Sequence, residues 1–125
     1  MRDVFTTGFF IDLNKVALST NPSESFLSGS VRDIGELESL CYRLCDEKDP
    51  VMRASDTLYT IACRHPFFEG NKRTGLIACE LMLGDDIFIT ADEQTIYHFV
   101  LDVAQDKIQK EDIESWLKAN ISESE

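Results

Sequence analysis

Residues 65–83 read HPFFEGNKRTGLIACELML. The second half of this stretch sets the fold and the first half sets the chemistry. Pro66 lacks an N–H and ends any helix that reaches it, and Gly70 and Asn71 are residues that turn a chain. From Asn71 onward, TGLIACELML is apolar almost all round, which predicts a helix enclosed by others rather than one lying on a surface. Gly84 is its natural stop. A helix buried on most sides needs neighbours, so the flanking sequence must supply them.

Upstream, Pro50 suits the first turn of a helix in which Val51, Ala54, Leu58, Ile61 and Ala62 recur at three- and four-residue steps up to Arg64. Ahead of it, a helix over about 34–44 carries Leu37, Leu40, Cys41 and Leu44 on one face. FFIDLNKVAL predicts another, with Phe9, Phe10, Leu13, Val16 and Ala17 near helical spacing, closed by the polar loop STNPSES. Between these two, Leu27, Ser28, Gly29, Ser30 and Val31 read as a short hairpin or extended flap.

Downstream, Thr90 and Glu93 form a capping box ahead of Ile96, Phe99, Val100 and Val103. KEDIESWLKAN predicts a last helix that buries Ile113, Trp116 and Leu117 behind an acidic first turn, after which SESE trails into solvent. Only DIFIT, residues 86–90, suggests a strand. The fold class is all-α in the sense of mainly α, with one domain over residues 1–125.

Composition bounds the function. A chain of 125 residues, 43% hydrophobic, matches one core. Its net charge of -11 opposes general nucleic-acid binding, because an acidic surface repels a phosphate backbone. The first residues, MRDVFTTGFFIDLNK, are broken by Asp3, Asp12 and Lys15 before a signal or membrane segment forms, so a cytoplasmic protein with no membrane partner is expected. Cys41, Cys45, Cys63 and Cys79 include no CxxC pair and read as buried, reduced thiols rather than metal ligands. For His98, too, core packing is the expectation.

Against that acidic background, the window 64–73 holds three cations and one carboxylate. A helix beginning at Asn71 exposes N–H groups at its positive end, and such ends bind anions. Gly70 lets the backbone approach a phosphate without a Cβ, and Lys72 and Arg73 add full charges. Glu69 suits a magnesium ion, which takes one or two protein carboxylates and completes its shell with phosphate oxygens. His65, with a reference pKa near 6.5, is mostly neutral at about pH 7 and suits a general base. The blander reading makes His65 a cap, Gly70 and Asn71 turn residues, and Phe67 and Phe68 core anchors. The co-occurrence of all these residues at fixed spacing favours a phosphate site.

HPFFEGNKRTG resembles the motif of the Fic/Doc (Fido) family, HxFx(D/E)GNxR, at every fixed position. GSVRDIGELES, residues 29–39, is similar to the R-D-x-x-x-L-E-S stretch of its shorter members. The resemblance covers about residues 26–118. It implies a Fido-type helical bundle using ATP and Mg2+, with His65 activating a target hydroxyl and Glu69 holding magnesium. It implies further that the backbone of Gly70, Asn71 and Lys72 forms the anion nest, that Asn71 and Arg73 orient phosphates, and that the flap 27–31 docks a target by strand addition.

Two positions depart from the adenylylating branch, which carries glycine in place of Lys72 and a second arginine in place of Leu76. Both resemble the Doc-like (death-on-curing) branch, which implies a kinase of protein Ser/Thr hydroxyls, with a translation factor as target and an antitoxin-like inhibitor as partner in a toxin-antitoxin pair. The alternatives are adenylylation and a catalytically silent, nucleotide- or partner-binding domain. Thr20–Glu24 partly fits the (S/T)xxxE(G/N) inhibitory motif of the family. Pro22 interrupts it, however, Ser25 replaces its last residue, and the arginine it grips is absent.

Overall fold

The computed structural model of the chain describes residues 5–19 and 26–124. Among these, the order is α1 Thr7–Leu18, α2 Ile34–Asp46, α3 Pro50–Leu58, α4 Asn71–Leu83, β1 Ile87–Ile89, α5 Glu93–Ala104, α6 Lys110–Ala119 and β2 Ile121–Glu123. The architecture is mainly α, as the apolar periodicities predict. Most of the loop STNPSES and the whole inhibitory-motif segment Thr20–Glu24 lie outside the described residues.

Each helix except α4 begins on a side-chain cap. Thr6 accepts from Phe9 N, Asp33 from Glu36 N, Asp49 from Val51 N and Met52 N with Pro50 in the first turn, and Asp92 from Thr95 N. Helix α6 carries a reciprocal box between Gln109 and Asp112. The capping box read at Thr90 is therefore misplaced by two residues. Asp92 caps α5, because Thr90 is held by the ribbon and directs both its N–H and its hydroxyl to the Asn120 carbonyl at 2.7 and 3.0 Å.

Helix α4 is the centre. It packs against α1, α3, α5, β1 and the turn that follows α3, and it buries Ala78, Cys79, Met82 and Leu83. It is not enclosed all round, however. Leu81 is 52% exposed, and the Leu76–Glu80 side borders a cleft. Around α4, Phe10, Leu37, Leu40, Leu44, Leu58, Ile61, Ile113 and Leu117 are fully buried.

The third predicted helix changes pitch instead of running uniformly to Arg64. After Leu58 the chain makes a π-helical turn over Tyr59–Cys63. A wider turn of this kind keeps the apolar residues inward, so periodicity does not reveal it. Gly75 of α4 packs on this turn; a Cβ at Gly75 would stand 3.4 Å from the Ala62 nitrogen.

A polar cluster ties four elements behind the core. Asp56 takes a bidentate pair from Arg43 at 2.8 and 2.9 Å, the Thr60 hydroxyl at 3.1 Å and the Lys110 ammonium at 3.3 Å. Burial opposes ionisation of Asp56, but Arg43, Lys110 and Thr60 together hold its pKa below the usual carboxylate value.

Several finer expectations are corrected. The end of the chain is not wholly a solvated tail: Ile121–Glu123 pairs antiparallel with Ile87–Ile89, and the DIFIT strand is realised through that pairing. Phe67 is buried but Phe68 is 56% exposed, because alternate residues of an extended loop face opposite ways. Val16 lies on the outer face of α1, while Asn14 takes the buried position. Trp116 is half-buried, stacked on Phe99 with ring centroids 3.9 Å apart. His98 is exposed, on the solvent side of α5. Cys41 and Cys79 are buried, and burial pushes the Cys79 thiol up to about 12, whereas Cys45 and Cys63 are only half-buried. All four are free thiols. No helix among the described residues is long and apolar enough to cross a membrane.

Candidate functional site

The site forms where the π turn ends. His65 has φ 53°, a left-handed backbone that non-glycine residues adopt at a cost of order 1–3 kcal/mol. Arg32 holds this turn. Its guanidinium donates to the carbonyls of His65 (2.6 Å) and Arg64 (2.9 Å), and its backbone N–H and that of Asp33 both reach the Pro66 carbonyl. The loop then bridges Phe67 to Val31 and swings to Gly70.

Gly70 has φ 76°, and a Cβ there would come within 3.0 Å of Leu18 and 3.3 Å of the Asn14 amide. Conformation and space both demand glycine. Helix α4 starts on Gly70 with no side-chain cap, and no side chain among the described residues is seen to cover the first-turn N–H groups of Asn71 and Lys72. Thr74 N–H makes the first intrahelical bond, to Gly70 O at 2.8 Å.

The Asn71 side chain is engaged in the loop. Its carbonyl accepts from Phe67 N at 3.0 Å and its amide donates to Phe67 O at 2.9 Å. What Asn71 offers an anion is its backbone N–H. Arg73 donates to Ala17 O at the end of α1 at 3.0 Å, which steers its guanidinium along the wall of the cleft.

Asn14, which the sequence reading passed over, organises the other side. Fully buried, it donates to Glu69 O (2.9 Å) and Thr74 Oγ1 (3.1 Å) and accepts from Gly29 N (2.8 Å). One amide thus locks α1, the 27–31 segment, the motif loop and α4 together. A polar residue inside the otherwise apolar face of FFIDLNKVAL was the available signal.

The segment Leu27–Val31 is a turn rather than a hairpin. Ser30 N–H bonds Leu27 O, Ser30 O receives Phe68 N–H, and Gly29 N–H goes to Asn14.

Electrostatics separate the two titratable members. Burial, then the charges of Arg32 and Lys72, lower the pKa of His65 below its ordinary 6.5, so the imidazole is neutral at neutral pH and able to take a proton. Removing one cation should reverse part of that shift. Lys72→Gln is therefore expected to move the acid limb of the pH–rate profile, where His65 protonates, to higher pH than in the wild type; an unmoved limb would mean that His65 does not govern it.

The Glu69 Oε2 atom is buried and has no hydrogen-bond partner among the described residues. An orphaned carboxylate oxygen beside an uncapped helix start fits a cation shared with phosphate oxygens. Among the described residues no group of three or more His, Cys, Asp or Glu side chains could hold a metal unaided.

A cleft of about 610 Å³ runs from the first turn of α4 along that helix. Gly70, Asn71, Lys72 and Arg73 line one end, and neither His65 nor Glu69 lies on its walls; they belong to the loop that leads into that end. Leu18 stands beside Gly70, Leu76 and Glu80 follow Arg73 along α4, and Glu93, Ile96, Tyr97 and Val100 of α5 complete the lining. The volume and the mixed lining suit a small organic anion.

A model of the Fic/DOC family matches residues 6–83. The match takes in α1, which the motif resemblance reached less clearly, and ends with α4, short of α5 and α6. No curated relative matches the chain.

Proposed function

We propose that this chain, which belongs to the Fic/DOC family, is a transferase that moves the terminal phosphoryl group of ATP to a Ser or Thr hydroxyl of a protein. His65 takes the hydroxyl proton as the oxygen attacks the γ-phosphorus. The bond from that phosphorus to the β–γ bridging oxygen breaks, and ADP leaves with the electron pair. The nest at Gly70–Lys72 and the side chains of Lys72 and Arg73 bind and orient the phosphates. Glu69 is the residue to hold Mg2+, which when bound neutralises phosphate charge.

The observation that carries phosphoryl rather than nucleotidyl transfer is the lining of the cleft beyond Arg73. The nest lies at the His65 end, so the phosphorus under attack sits there. In AMP transfer that phosphorus is α, and the β- and γ-phosphates would have to extend past Leu76 toward Glu80, over apolar walls and a carboxylate. Like unit charges about 5 Å apart repel by roughly 3 kcal/mol at a protein surface. With the γ-phosphate in the nest, the nucleoside occupies the apolar part instead. A lysine at 72 and the lack of a second arginine at 76 support the same pose, as does the resemblance to the Doc-like branch.

A translation factor as target, a toxin role, an antitoxin-like partner and a cytoplasmic location are proposed on that resemblance. Labelled ATP tests the reaction: with magnesium and cell extract, γ-label and not α-label should appear on an extract protein. Transfer of α-label would establish nucleotidyl transfer in its place.

A further inference from the structure

Glu80 follows Leu76 by one helical turn and Arg73 by two, so the three share a face of α4 and all line the cleft. Over about 10 Å along the helix, that face passes from cation to apolar side chain to carboxylate. Among the described residues, neither Glu80 nor Glu93, which enters the same cleft from the first turn of α5, has an ion pair or hydrogen-bond partner. Partial burial against the cleft wall pushes the pKa of the Glu80 carboxyl up, while the residue as a whole, like Glu93, stays open to solvent. Tyr97, 59% exposed, offers an aromatic face to the same cleft.

A carboxylate with no protein donor, on the wall of an apolar slot, is complementary to neutral hydroxyl donors and repels anions. We propose that Glu80, assisted by Glu93, accepts hydrogen bonds from the sugar hydroxyls of a ribonucleoside triphosphate, and so selects ribonucleotides and fixes which end of the nucleotide enters the nest. The proposal rests on the pose put forward above, with the nucleoside in the cleft. Glu80 acts there as a specificity-determining residue and takes no part in the transfer.

Calorimetric titration with magnesium tests this, using ATP, 2′,3′-dideoxyATP and inorganic tripolyphosphate against the wild type, Glu80→Met and Glu80→Gln. Charged-acceptor hydrogen bonds support about a tenfold preference of the wild type for ATP over the dideoxy form. Glu80→Met should bring that ratio to within about threefold by weakening ATP alone, and Glu80→Gln, which keeps one acceptor and the side-chain shape, should fall between. A ratio unchanged in both variants, or no preference in the wild type, overturns the assignment. Wild-type binding of ATP no tighter than tripolyphosphate would overturn the underlying pose as well, since the nucleoside would then lie outside the cleft. That result is separable from the first, because an absent or unchanged preference for ATP over a dideoxy form that still outbinds tripolyphosphate keeps the pose and removes only the role of Glu80.

Discussion

His65→Ala lowers the rate of transfer by about three powers of ten, the scale of a lost general base, while affinity for ATP and magnesium stays close to that of the wild type. The expectation follows from where the residue stands. His65 does not line the cleft, and the groups that would grip phosphate are the N–H groups and cations of the first turn of α4. Its lowered pKa keeps it in the proton-accepting form at neutral pH. Because position 65 has a left-handed backbone, alanine adds some strain of its own. Asparagine tolerates that region better, and His65→Asn should be as inactive as His65→Ala with a melting temperature closer to the wild type. Measuring kcat together with nucleotide Kd decides the matter. If binding falls in step with activity in both variants, His65 holds the nucleotide and is not the base.

What could be read in advance and what could not divide along a physical line. Helices were legible because burial leaves a period, and the start of α4 was legible because Gly70 and Asn71 are residues that turn a chain. The π turn was not, since an extra residue in one turn preserves the inward face of Ile61 and Ala62. The loop bonds of Asn71 were hidden for a related reason: its amide can serve either a ligand or a peptide group, and only the fold shows Phe67 within reach. The roles of Asn14 and Arg32 depend on contacts across long stretches of sequence, to Glu69 and Thr74 in one case and to Arg64 and His65 in the other. The flap failed as a hairpin because its N–H groups found Asn14 and its own turn, a choice that its composition leaves open. The far part of the cleft combines Leu76 and Glu80 with Ile96 and Tyr97 from another helix, and no local motif joins them.

Glu69→Gln separates stability from activity in the second large effect. One carboxylate oxygen of Glu69 is buried without a partner, and leaving such a group unsatisfied costs about 1–3 kcal/mol, more for a charged one. Glutamine keeps the shape and removes the charge, so the free protein should melt at the same temperature as the wild type or higher. Activity should move the opposite way, falling by about two powers of ten, the scale of a lost electrostatic group at a reacting centre. The magnesium concentration for half-maximal rate should rise as well, because a neutral amide is a weaker ligand for a hard cation than a carboxylate. Destabilisation on its own lowers both activity and melting temperature, so opposite signs in the two measurements identify a residue held in strain for a ligand. If melting temperature and activity fall together, with the magnesium dependence unchanged, Glu69 is a packing residue of the loop and the cation is held elsewhere.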